Sequence, residues 1–118
     1  MPHVLLCGAP VKSLFSTSMI EMRARATKAM AEVPGSCIEE RQVRLSIPIE
    51  AVASRPAKPF MRVWLASVPE RTDDTIDAMC EAAAKVFFDA FGSYFVDEVQ
   101  YGWEDGVRNG YGRYPKKE

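Results

Sequence analysis

The feature that most constrains this chain is a switch of hydrophobic period that happens twice. Residues 2–8 form a short apolar run closed by Gly8-Ala9-Pro10, which reads as a buried strand. From Phe15 the apolar residues take helical spacing, with Met19, Met22, Ala26, Ala29, Met30 and Val33 on one stripe. Glu21, Arg23, Arg25 and Lys28 lie largely off it. Ser16 to Ser18 supply N-cap candidates, Ser18 with Glu21 fits a capping box, and Pro34-Gly35 stops the helix. The period returns to two over 41–47, where Val43, Leu45 and Ile47 alternate with Gln42, Arg44 and Ser46.

Residues 48–59 hold three of the eight prolines and divide the chain, and then the series begins again. Phe60 to Val68 predicts an apolar strand ended by Pro69. Thr72 caps a second helix, with Asp73, Asp74 and Asp77 where the helix dipole favours negative charge. Its stripe is Ile76, Met79, Cys80, Ala83, Val86, Phe87 and Ala90, and Gly92 stands at the C′ position. A last strand alternates Val99, Tyr101 and Trp103 with Glu98, Gln100, Gly102 and Glu104. The polar tail that follows Asp105 predicts loop or a loose hairpin.

The order β-α-β, loop, β-α-β in 118 residues predicts one domain over 1–118, with pseudo-repeats of about 1–57 and 58–105 and a polar tail over 106–118. Right-handed crossovers put both helices on one face of a four-stranded mixed sheet, an α+β two-layer sandwich. The first and third strands are apolar at consecutive positions, so both of their faces call for burial. Two helices cover only one face, and the other is expected to meet a further subunit.

Composition removes several functions. Fifteen Lys and Arg face sixteen Asp and Glu, a balance that argues against a protein devoted to nucleic acid or an anionic membrane. One histidine and three cysteines without CxxC spacing predict no metal site and no disulfide framework. No run reaches the ~18 apolar residues of a membrane span, and the opening lacks a basic n-region, so a cytoplasmic protein is expected. Gly110 and Gly112 do not lie between a strand and a helix and make no nucleotide loop.

The Met-Pro-His-apolar opening, on the first strand of a βαβ repeat of this length, resembles the tautomerase superfamily, nearest to its small uncharacterised members. The resemblance covers residues 1 to about 105. It implies a trimer with inward-facing sheets and, after loss of Met1, the Pro2 amine as general base without any cofactor. In an apolar pocket near cations such an amine loses basicity and can take a proton from carbon beside a carbonyl. Arg44, within Val43-Arg44-Leu45, is similar to a family arginine that holds substrate carboxylate. Lys12 matches a second carboxylate-binding position, with a lysine in place of arginine. Arg71 resembles an arginine before the second helix in the decarboxylase branch and lies near a helix N-terminus, a natural anion site. Tyr101 and Trp103 lie on the strand that lines family pockets, and equally fit a core or a subunit interface. Glu39, Glu40 and Glu104 are alternative acidic partners. The function so implied is a tautomerase or isomerase acting on a small 2-oxo acid or related carboxylate. The alternatives are a non-catalytic binding or structural protein of the same fold, and a ferredoxin-like ligand-binding oligomer.

Overall fold

The computed structural model describes residues 2–7, 17–46, 60–91 and 98–116. Strand β1 spans His3–Cys7, helix α1 Thr17–Ala31, strand β2 Arg44–Ser46 and strand β3 Phe60–Trp64. Helix α2 spans Asp73–Phe91, strand β4 Val99–Glu104 and strand β5 Asn109–Tyr114. The sheet order is β2-β1-β3-β4-β5. Within each half the strands pair in parallel, β1 with β2 and β3 with β4, while β1 and β3 join the halves antiparallel. The expected α+β sandwich with two helices on a mixed sheet is therefore the observed class.

Alternation decides which residues meet the helices. Val4, Leu6, Leu45, Met61, Val63, Val99, Tyr101 and Trp103 are buried on one face of the sheet. Onto them α1 lays Met22, Ala26 and Met30, and α2 lays Ile76, Met79, Cys80, Ala83, Ala84 and Phe87. Each large apolar side chain so buried contributes roughly 1.5–3 kcal/mol. Gly35, with φ of 83°, takes the left-handed conformation that turns the chain after α1.

Four details differ from the sequence reading. Among the described residues the sheet has five strands, not four, because part of the polar tail pairs antiparallel with β4. The glycines make this possible, since Gly110 and Gly112 of β5 lie under the rings of Trp103 and Tyr101, where a side chain would collide. The second strand is shorter than 41–47, because Glu40–Gln42 forms a 3-10 turn closed by Glu39 N donating to Gln42 Oε1 at 2.8 Å. Ser18 lies inside α1 rather than capping it. Ser16, Lys12, Gly92 and the proline-rich 48–59 lie outside the described residues.

The fourth concerns the face away from the helices. It is not a greasy surface but a mixed one, because β3 alternates Phe60, Arg62 and Trp64 outward against Met61 and Val63 inward. The strand registers set the residues of this open face in rows. Arg44, His3, Trp64, Glu104 and Asn109 form one row across all five strands. Ser46, Leu5, Arg62, Gly102 and Tyr111 form the next.

Candidate active site

Pro2 enters β1 at the sheet end that carries the first of these rows. It is buried, and its carbonyl accepts a hydrogen bond from Arg44 N at 2.9 Å. His3 pairs with Arg44 and with Trp64, so the residues flanking Pro2 are Val43 and Leu65. Leu65 is buried and Val43 packs against the core, which makes the surroundings of Pro2 apolar.

Arg44 is exposed on the open face, and among the described residues its guanidinium has no hydrogen-bond or ion-pair partner. Beside it His3 Nε2 lies 3.0 Å from Ser46 Oγ. The His3 and Trp64 rings are 5.6 Å apart, and the Arg62 guanidinium stacks 5.4 Å from the Trp64 ring centre. Glu104 completes the row. The fold thus brings the backbones of Pro2 and Arg44 together, with the Arg44 side chain on the open face. It also adds His3, Arg62 and Trp64, which the sequence reading did not single out. The available signal was Arg62, a charge set in the middle of an apolar strand.

The other sequence candidates are placed differently. Tyr101 and Trp103 lie on the helix-facing side, where Trp103 Nε1 donates to Asp77 Oδ1 at 2.8 Å and Tyr101 Oη donates to Asp77 O at 3.4 Å. Burial, and then the charge of Asp77, push the Tyr101 phenol and the Cys80 thiol well above their ordinary ranges, so both stay protonated. Arg71 is at the same sheet end as Pro2, but it is only 4% exposed. Its Nε donates to Ser36 O at 2.7 Å and its Nη1 to Ala66 O at 3.1 Å. Arg108 ties this region to the β4–β5 turn: Nη2 donates to Arg71 O at 3.2 Å and to Asp105 Oδ2 at 2.6 Å, and Nη1 donates to Asp73 Oδ1 at 2.7 Å. Glu39 pairs with Arg41 on the surface, and Glu40 is exposed.

On the open face a groove of about 320 Å³ lies over Gly102, walled by Phe60, Trp64 and Tyr111 and rimmed by Arg62, Glu104 and Asn109. Among the described residues no group of three or more His, Cys, Asp or Glu is placed to hold a metal ion. No described helix is long and apolar enough to cross a membrane.

No protein-family model matches the chain, and no curated protein matches it in sequence. Solved structures do. A domain of unknown function from Sebaldella termitidis matches with a TM-score of 0.61 at 12% identity, over 91% of this chain and 90% of that one. A fused 4-OT symmetric trimer gives 0.59 at 14% identity, over 88% and 83%. The macrophage migration inhibitory factor of Toxoplasma gondii gives 0.53 at 13% identity, over 92% and 98%. The chain has the tautomerase fold. At these identities the likeness is one of backbone, and it agrees with the resemblance carried by the Met-Pro opening and the repeated βαβ plan. In this tautomerase-fold chain the start of β1 is held beside the start of β2, and the two residues there are Pro2 and Arg44.

Proposed function

We propose that this chain is a cofactor-independent tautomerase or isomerase acting on a small 2-oxo acid or related carboxylate, with Pro2 as general base. The observation that carries the reading is the juxtaposition of a buried Pro2 with Arg44, whose guanidinium is exposed and unpaired among the described residues. Removal of Met1 converts the Pro2 nitrogen from an amide to a secondary amine. Apolar Val43 and Leu65 disfavour its charged form, which favours the neutral amine that can act as a base. It removes a proton from the carbon beside the substrate carbonyl. Arg44 holds the carboxylate and favours the charge that develops on the enolate oxygen. The same proton returns to oxygen or to another carbon, which completes the isomerisation without a net change of charge or oxidation state. Lys12 is proposed as a second carboxylate contact. Arg71, Tyr101 and Trp103 are given no substrate contact in this reading, since their polar groups are engaged by the protein itself.

The working unit is proposed to be a homotrimer with the open sheet faces turned inward, and a solved fused 4-OT symmetric trimer of like fold supports its trimeric state. Intact mass of the protein from its own host tests the first requirement, loss of Met1. Enol–keto exchange of phenylpyruvate tests the second. Pro2→Ala is expected to reduce kcat by at least about 100-fold, and Arg44→Ala to act mainly on KM. Retention of Met1, or equal rates for wild type and Pro2→Ala, sinks the catalytic reading in favour of a binding or structural role.

A further inference from the structure

Arg62 and Glu104 are two opposite charges on the same face that do not satisfy each other. Arg62 projects from β3 and is exposed; its guanidinium lies against the Trp64 ring at 5.4 Å and makes no hydrogen bond or ion pair among the described residues. Glu104 ends β4 directly opposite Trp64 in the register, is exposed, and its carboxylate likewise has no partner among the described residues. Between them lies the groove over Gly102. Its walls are Phe60, Trp64 and the 83%-exposed Tyr111. The gap exists because position 102 has no side chain, and an added Cβ there would already touch Phe60 and Tyr111 at 3.5 Å.

We propose that this face is a self-recognition surface, in which Arg62 of one copy pairs with Glu104 of the next copy across the groove over Gly102. The occupant of the groove is a second copy of this chain, and the proposal rests on the assembly reading above. Two physical points favour this occupant. A face carrying both signs is complementary to its own copy, whereas a face of one sign repels it. The surroundings are Trp, Tyr, Phe and Arg with no lysine in either row, the composition that concentrates at the centre of protein interfaces. Stacking on Trp64 also fixes the Arg62 side chain before association, so less freedom is lost on pairing.

Sedimentation velocity of the whole chain over a range of concentrations tests this with R62E, E104R and the double variant R62E/E104R. A thermal melt of each confirms that it is folded. Each single swap sets like charges against each other and is expected to raise the dissociation constant of the assembly by at least about tenfold. The double swap restores the pairing in reverse and is expected to return to within a few-fold of wild type. R62Q, which removes the charge without reversing it, should fall between, and it supplies the measurement if a reversal fails to fold. Folded single variants that assemble like wild type overturn the proposal, as does a folded double variant no better than the singles, and in either case the groove belongs to another occupant. A wild type that is monomeric at every concentration overturns the assembly reading itself. Assembled wild type with unaffected single variants overturns this proposal and leaves the assembly reading standing.

Discussion

Arg71 shows how a residue can be correctly located and yet differently employed. Its position before α2 suggests a cation at a helix N-terminus. The fold turns its guanidinium inward instead, to the carbonyls of Ser36 and Ala66. The acceptor Ser36 is 35 residues away in the chain, so no local pattern could reveal it. Arg71→Met is expected to leave both carbonyls without their charged donor and to destabilise the fold by about 2–4 kcal/mol, measured by urea unfolding. Arg71→Lys keeps the charge but not the fork that reaches two acceptors, so it should recover only part of the loss. Pro2 and Arg44 contrast with this. Their positions were readable in the sequence, Pro2 at the head of a strand and Arg44 on the polar side of an alternation, and their roles rest on the proposal above.

At the level of elements, the strand–helix–strand order was legible because each element buries a stripe with its own period. The Met22, Ala26, Met30 stripe of α1 and the Ile76, Met79, Cys80, Ala83, Phe87 stripe of α2 are the faces that pack. β5 was legible only as loop or a loose hairpin, because Asn-Gly-Tyr-Gly-Arg-Tyr lacks the branched residues that mark a strand, and it is the hairpin that forms. What makes it a strand is supplied from β4, whose Trp103 and Tyr101 rings spread over Gly110 and Gly112. A Cβ at Gly110 would stand 2.6 Å from Trp103 Cε2, and one at Gly112 would collide with the Tyr101 phenol. Gly112→Ala is therefore expected to cost about 1–3 kcal/mol and to speed hydrogen exchange over 109–114. Gly102→Ala, whose Cβ meets its neighbours at ordinary contact distance, should cost much less.

For the molecule as a whole, one cluster joins distant parts of the chain. Asp105 accepts from Val107 N at 3.2 Å, from Arg108 N at 2.9 Å and from the Arg108 guanidinium, which continues to Asp73 and to the carbonyl of Arg71. The Arg108 side-chain hydrogen bond outweighs burial and, with the two backbone amides and the Arg108 charge, holds the Asp105 carboxyl below its usual range. A carboxyl lowered by folding contributes stability that is fully present above its unfolded value of about 3.9 and is lost as pH falls through the folded value. This contribution should thus hold from neutral pH down to about pH 5 and be lost as pH falls below the unfolded value of about 3.9, read by urea unfolding at each pH. Asp105→Asn should lower stability at pH 7 and flatten that loss. Which face the helices cover was legible at this scale, but the nature of the open face was not. Consecutive apolar letters in Phe60-Met61-Arg62-Val63-Trp64 conceal an outward set of two aromatics and an arginine, and only the register with neighbouring strands sorts them. That sorting also separates the two tryptophans of the chain. Trp103 is sealed under α2 and bonded to Asp77, while Trp64 stands on the open face against Arg62 and His3. The molecule therefore carries an optical reporter for each of its two sides: Trp64→Phe leaves an emission that follows unfolding, and Trp103→Phe one that follows whatever approaches the exposed sheet.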